Sequence, residues 1–389
     1  MRSVTVVGGS LAGLSAARAL RAAGFDGRVT VVGDEVHRPY DRPPLSKELL
    51  SGRMTPADLT LEAEDEDLGV DWRLGVRAAA LRPGERSLEL ADGGVLRSDG
   101  MVLATGARAR ALPGTEGVPG VHTLRTLDNG LALAEDLRPG RSLVVVGAGF
   151  IGAEVASTAH QLGLAVTVLE ALEVPLAGPL GEQMGRVVAG LHHDNGVQLL
   201  CGVGVHAVHA GPAGVDRVEL VDGRVLPAEL VVVGVGAEPN VEWLHGSGVE
   251  LANGVRCDSR GATSLPGVVA VGDCASWYDP VSGRHRRVEH WTGALERPAS
   301  AVATLLGRAA TVGPPRPPYF WSDQYGSRIQ FAGAADLADD VTVEDGDVDE
   351  RSFLAVYRRA GSPVAVLGVD RVRPFTRMRR QLDALAQAA

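Results

Sequence analysis

Lysine is almost missing from this chain: Lys47 is the only one among 38 lysine and arginine side chains. A bias that favours arginine everywhere else leaves lysine where a compact ammonium on a flexible stem is needed and a planar guanidinium fork will not serve. Such a bias also leaves lysine by chance, so the residues around Lys47 must decide. Cysteine is scarce as well. Cys201, Cys257 and Cys274 are widely spaced and form no CxxC or CxxxxC pair, which excludes a disulfide framework and a redox dithiol. No apolar run is long enough to span a bilayer, and a net charge of -10 argues against general nucleic-acid binding. A strand pattern beginning at residue 4 leaves no room for a signal peptide, so the cytoplasm is the expected compartment.

What is present is the composition of a globular protein: 389 residues, 45% hydrophobic and 22% charged, enough for two or three domains. Two βαβ openings recur, with turns starting at Gly8 and Gly147. The first reads as a strand at 4–7, a turn at 8–13, a helix to about residue 23, a strand at 29–32 and then Asp34. The second reads as a strand at 143–146, a turn at 147–152, a helix to about residue 162, a strand at 166–169 and then Glu170. Duplicated units of this kind imply two nucleotide domains of like fold. Pro/Gly-rich stretches at 112–120 and 312–318 mark candidate boundaries. Beyond them lie strand-like runs at 353–357 and 364–369. A last helix opens at Pro374, with Phe375, Met378, Leu382 and Leu385 on one apolar face.

Gly147-Ala148-Gly149-Phe150-Ile151-Gly152 is a full GxGxxG between strand and helix. The first glycine makes the tight turn, the second lets the backbone approach a pyrophosphate, and the third allows close helix–strand packing. Glu170 follows where an acid can accept both ribose hydroxyls. No basic residue occurs from 171 to 185 to balance a 2′-phosphate, so NADH is favoured over NADPH. The N-terminal turn, Gly8-Gly9-Ser10-Leu11-Ala12-Gly13, departs from the fingerprint. Ser10 takes the middle position, where its side chain either crowds a pyrophosphate or donates to it. Ala104-Thr105-Gly106, Val271-Gly272-Asp273 and Glu289-His290-Trp291-Thr292, in this order around an inserted GxGxxG, resemble the two-dinucleotide flavoprotein reductases.

Within that superfamily the likeness narrows. Arg42-Pro43-Pro44-Leu45-Ser46-Lys47, Leu124-Arg125-Thr126-Leu127, Gly272-Asp273-Cys274-Ala275 and Phe320-Trp321-Ser322-Asp323-Gln324-Tyr325-Gly326 resemble the FAD-dependent NADH:ferredoxin reductase family. The resemblance runs roughly from Val4 to Phe375. It implies that Ala12, Asp34, Lys47, Ala78, Arg125, Asp273 and Trp291 contact FAD, beside Gly8, Ser10, Gly13, Arg42, Thr105, Gly106 and Gly272 of the same motifs. It implies that Gly147, Gly149, Phe150, Ile151, Gly152, Glu154, Glu170 and Gly236 form the NADH cleft, and that Lys47 lies by the flavin ring and pairs with Glu154. Lys47 and Glu154 then carry the catalytic role, as positioning groups. Trp291 and Trp321 either line the exit side of the flavin or pack in the core. Family members often carry arginines where this chain has Val174 and Gly178, which leaves contacts to the NADH adenosine or phosphates weakened or rearranged. Disulfide reductases place a dithiol in the segment matching 38–47, and related peroxidases and oxidases a single cysteine; here there is none, so electrons leave the flavin for an external acceptor.

The expected fold is α/β: two Rossmann-like dinucleotide-binding domains, for FAD and NADH, arranged as in glutathione reductase, plus a small α+β C-terminal interface domain. FAD is expected on 1–111 and 235–313, NADH on 112–234 and the interface on 314–389. The implied reaction carries electrons from NADH through FAD to a [2Fe–2S] ferredoxin serving an oxygenase. A rubredoxin reductase, a flavin NADH oxidase and an NADH-sensing flavoprotein of the apoptosis-inducing-factor kind are the alternatives. Residues 334–350 hold eight acidic groups and no basic one, whereas 351–389 hold eight arginines against Asp370 and Asp383. These runs are either two solvated faces or, on the basic side, a docking surface for an acidic partner, with Arg297 as a second candidate.

Overall fold

The computed structural model describes residues 1–308 and 316–388. The chain divides into two compact units, each assembled from three stretches of sequence. One comprises Met1–Asp41, Thr60–Arg108 and Glu238–Pro318; the other comprises Arg42–Leu59, Ala109–Ala237 and Tyr319–Ala389. Of the Pro/Gly-rich stretch at 312–318, residues 312–315 lie outside the described residues.

The first unit is built on a parallel sheet ordered Val268–Ala270, Gly100–Leu103, Ser3–Val7, Arg28–Val32, Val70–Arg73. Its inner strands are rich in valine because a parallel sheet is covered on both faces, and β-branched side chains suit a buried pleat. Val4, Val6, Val29, Val31 and Val102 are all buried. The alanine-rich helix Leu11–Ala22 packs beside Trp291–Leu305. A three-stranded antiparallel sheet adds Leu81, Leu88 and Leu90 to the same core.

The second unit repeats the plan. Its parallel sheet is ordered Gln198–Leu200, Ala165–Leu169, Ser142–Val146, Leu230–Val233, Val121–Thr123. Counted from the strand before each glycine turn, both sheets run 3-2-1-4, so each turn lies at the switch point where an open α/β sheet binds a dinucleotide. The same unit carries an antiparallel sheet ordered Tyr319–Gln324, Ser327–Gly333, Ser362–Val369, Ser352–Arg359, Asp340–Asp347. Helix Ala177–Asp194 lays Leu180, Met184, Val188 and Leu191 on one face of it, against Phe331, Phe353 and Leu367. The C-terminal helix covers the other face with Phe375 and Leu382.

Two local expectations change. The last helix spans Val372–Ala388 and starts before Pro374, which occupies the first turn, where its missing N–H costs nothing. Leu385 is 44% exposed rather than on the apolar face, because the core beneath that face ends at Leu382. Half of the acidic run, Asp340, Glu344, Asp345 and Asp347, lies on the exposed edge strand Asp340–Asp347, where such charges keep a free sheet edge from pairing with another chain. Among the described residues no helix is long and apolar enough to cross a membrane.

Candidate functional site

In each glycine turn the first and last glycines have separate steric reasons. Gly8 has φ +126, and a Cβ there would meet the Ala104 carbonyl oxygen at 2.0 Å. Its counterpart Gly147 has φ +102 and would meet the Gly234 carbonyl oxygen at 2.4 Å. A Cβ on Gly13 would strike Gly8 O at 1.9 Å, and one on Gly152 would strike Gly147 O at 2.1 Å. These four positions need glycine for the protein's own packing. Gly149 does not: its φ is -71 and a Cβ would have no neighbour within 4 Å. The open space there admits a group that approaches from outside, and the helix Phe150–Gln161 points its N-terminus into it. These residues fit a dinucleotide. Gly236, following the fourth strand, is equally open at φ +97, and Ile151 is 47% exposed.

Glu170 is folded back on this turn. Its Oε2 accepts from the Ala148 N–H at 2.9 Å and its Oε1 from the Leu172 N–H at 2.9 Å, which holds the carboxylate at the end of its strand. Asp34, at the corresponding place in the other unit, is exposed, with Arg77 at 3.8 Å. Ser10 caps helix Leu11–Ala22 by position but not through its side chain. Ala12 lies in the first turn of that helix; a Cβ on Gly272 would approach it at 2.8 Å, so Gly272-Asp273 is brought against the glycine turn. Ala78 is buried at the start of its strand. Thr105 and Gly106 are locked by a residue the sequence reading passed over: Asn240 accepts from Thr105 Oγ1 through its carbonyl at 2.6 Å, donates from Nδ2 to Thr105 O at 3.0 Å, and donates its N–H to Gly106 O at 3.0 Å. The Trp291 indole donates to Asp41 Oδ1 at 2.8 Å, which fixes that ring.

The second unit carries a buried polar cluster. Pro43–Ser46 forms a 3-10 turn started by its two prolines, and it delivers Lys47 to helix Phe150–Gln161. Lys47 Nζ lies 2.8 Å from Glu154 Oε2, with side-chain exposures of only 9% and 7%. Ser46 Oγ donates to the same oxygen at 2.5 Å. On the other oxygen, Ser322 Oγ donates at 2.7 Å and the Asp323 N–H at 3.2 Å. Thr158 Oγ1 ties the helix back to Ser46 O at 2.9 Å. Arg42 donates to the Arg125 carbonyl, Phe150 packs on Phe320 at 4.5 Å between centroids, and Trp321 stacks on Tyr319.

Residues 2–297 match the pyridine nucleotide-disulphide oxidoreductase family, and residues 319–389 match the reductase C-terminal domain. The chain belongs to this reductase family. It is 38% identical to the ferredoxin reductase component of chlorobenzene dioxygenase from Cupriavidus sp. (strain PS12), over 98% of this chain and 93% of that one. It is 37% identical to the ferredoxin–NAD(+) reductase subunit of the benzene 1,2-dioxygenase system of Pseudomonas putida, over 98% and 92%. Its fold superposes on putidaredoxin reductase in a covalent complex with putidaredoxin with a TM-score of 0.94, at 32% identity, covering 98% of this chain and 93% of that one. The FAD-dependent ferredoxin reductases named from its motifs are thus its relatives, and the reductase is an oxidoreductase.

All three cysteines are free, and Cys201 is half-buried. Cys257 and Cys274 are buried free thiols, and burial pushes both thiols up, away from the reactive thiolate. Its basic segment is not simply solvated. Arg351 pairs with Asp194 at 2.6 Å, Arg371 with Asp345 at 2.9 Å, and Arg358 with Glu344. Arg379 stacks on Tyr319 at 3.9 Å. Arg373, Arg377 and Arg380 remain exposed, at spacings that place them on one face of the last helix. Arg297 is half-buried: it lies 5.0 Å from the Trp277 ring, and burial pulls its guanidinium below the ordinary arginine value.

Proposed function

We propose that the protein passes electrons from NADH, through bound FAD, to a [2Fe–2S] ferredoxin that serves a haem-thiolate monooxygenase or a ring-hydroxylating dioxygenase. The observation that carries this reading is the buried Lys47–Glu154 pair, 2.8 Å apart, in the segment where disulfide reductases keep a dithiol. FAD, when bound, supplies the exchange between a two-electron donor and a one-electron acceptor. The chain supplies binding and placement. Residues 1–111 and 235–313 hold FAD, 112–234 hold NADH and 314–389 form the interface domain. The family resemblance assigns Gly8, Ser10, Ala12, Gly13, Asp34, Ala78, Thr105, Gly106, Gly272, Asp273 and Trp291 to FAD binding, and likewise Arg42, Lys47, Arg125 and Trp321. Gly147, Gly149, Phe150, Ile151, Gly152, Glu170 and Gly236 receive NADH. Lys47 brings its ammonium beside the flavin, and Glu154 holds it in place at 2.8 Å. The cytoplasm, where NADH is supplied, is the working compartment.

The test is acceptor dependence. The purified yellow protein should bleach anaerobically with NADH far faster than with NADPH, and it should reduce cytochrome c rapidly only when a [2Fe–2S] ferredoxin is added. Rapid NADH consumption with oxygen alone would make it an oxidase. Slow turnover with every acceptor would make it a sensor.

A further inference from the structure

Glu154 receives more hydrogen bonds than its ammonium partner supplies, and its two oxygens divide them. Oε2 takes Lys47 Nζ at 2.8 Å and Ser46 Oγ at 2.5 Å, both from the segment after Asp41. Oε1 takes Ser322 Oγ at 2.7 Å and the Asp323 N–H at 3.2 Å, both from strand Tyr319–Gln324. Ser322 is 0% exposed and Gln324 1%. Gln324 Nε2 donates to Ser322 Oγ at 3.0 Å, which occupies a lone pair and leaves the single hydroxyl proton for the carboxylate. The donors form a chain from Gln324 through Ser322 to Glu154, and in a buried setting each bond polarises and orients the next. A glutamate side chain can rotate about its terminal bond; fixing Oε1 fixes the carboxylate plane, and so the point at which Oε2 meets Nζ.

We infer that Ser322 is a positioning residue for the reduction of bound FAD by NADH. It holds the Glu154 carboxylate from the side opposite Lys47 and thereby sets where the ammonium stands. The inference rests on the proposal that the Lys47–Glu154 pair governs that step. A strand of the C-terminal domain thus completes a pair formed by the glycine-turn helix and the prolyl-lysine turn.

The experiment uses the FAD-loaded full chain in anaerobic stopped-flow reduction at varied NADH, with Ser322→Ala, Ser322→Cys, Ser322→Thr and Glu154→Gln side by side. Ser322→Ala should keep its FAD and lower the limiting rate about tenfold, the scale of a hydrogen bond to a charged group, with the NADH dissociation constant within about twofold of the parent. Ser322→Cys fills the volume with a weak donor and should be slow like the alanine variant, whereas Ser322→Thr keeps the hydroxyl and should recover. In the Glu154→Gln background, Ser322→Ala should cost less than about threefold, because the two act through one group. A parental rate for Ser322→Ala, or a parental rate for Ser322→Cys, overturns the inference while a slow Glu154→Gln leaves the pair's role standing. A parental rate for Glu154→Gln overturns the reading of the pair itself.

Discussion

Lys47→Met keeps the length of the side chain and deletes its charge, so it measures what the buried pair is worth to the fold. Lys47 and Glu154 retain side-chain exposures of 9% and 7%, and breaking such a pair costs about 3–5 kcal/mol because a buried charge is left uncompensated. Here the carboxylate keeps Ser46, Ser322 and the Asp323 N–H as donors, which places the loss near the lower end, about 3 kcal/mol. Adding Glu154→Gln removes the orphaned charge yet leaves an amide oxygen for Ser322. The double variant should therefore be more stable than Lys47→Met alone, with a coupling of about 2 kcal/mol. The chain holds two compact units, so the quantity to compare is the thermal midpoint at saturating FAD rather than a two-state free energy. A parental midpoint for Lys47→Met, or losses that simply add in the double variant, would refute the reasoning.

Glu170→Ser should move the anaerobic bleaching preference toward NADPH, because the carboxylate that repels a 2′-phosphate is gone while no basic residue occurs from 171 to 185; an unchanged NADH-to-NADPH ratio would contradict it. Reversing Arg373, Arg377 and Arg380 to Glu should raise the ferredoxin Michaelis constant on the order of tenfold at low salt and less at 0.15 M, where screening acts over about 8 Å, with flavin reduction by NADH unchanged. Burial pushes the His192 imidazole down to about 4, and the ring is 2.7 Å from Tyr325 OH. Between roughly pH 6.5 and 4 the unfolded chain binds a proton that the folded chain refuses, so stability falls as pH drops through that window. His192→Asn should flatten this acid limb of the midpoint–pH curve by up to one proton. His290, also pushed down to about 4 by burial, should keep part of the slope.

The parts of the site that were legible in the sequence are those fixed by near neighbours. The valine runs, the glycines at 13 and 152, and the places of the acids at 34 and 170 answer to a strand, turn and helix that are adjacent in the chain, whereas Gly8 and Gly147 are pressed by Ala104 and Gly234 from far along it. What escaped depends on long closures. Asn240 reaches Thr105 across 135 residues, Ser322 reaches Glu154 across 168, and Trp291 reaches Asp41 across 250. A serine between Trp321 and Asp323 carries no local mark of the carboxylate it will meet. Its signal was its place in the Phe320–Gly326 string, which names no partner for it. Arg297 shows the same limit: nearness to Trp291 in sequence says nothing about Trp277, whose ring takes the guanidinium.

The interrupted assembly of the first unit imposes a timetable on synthesis. Strand Gly100–Leu103 is buried at every position, yet its outer neighbour Val268–Ala270 is made long afterwards. The parallel sheet of the other unit lies entirely between Val121 and Val233, so the later-begun sheet is the first to be complete. Until Val268–Ala270 leaves the ribosome, the earlier sheet presents an unpaired apolar edge, the kind that pairs with a wrong partner. Glu154 waits longer still. Its carboxylate stays open to water until Ser322 has been made and closes over Oε1.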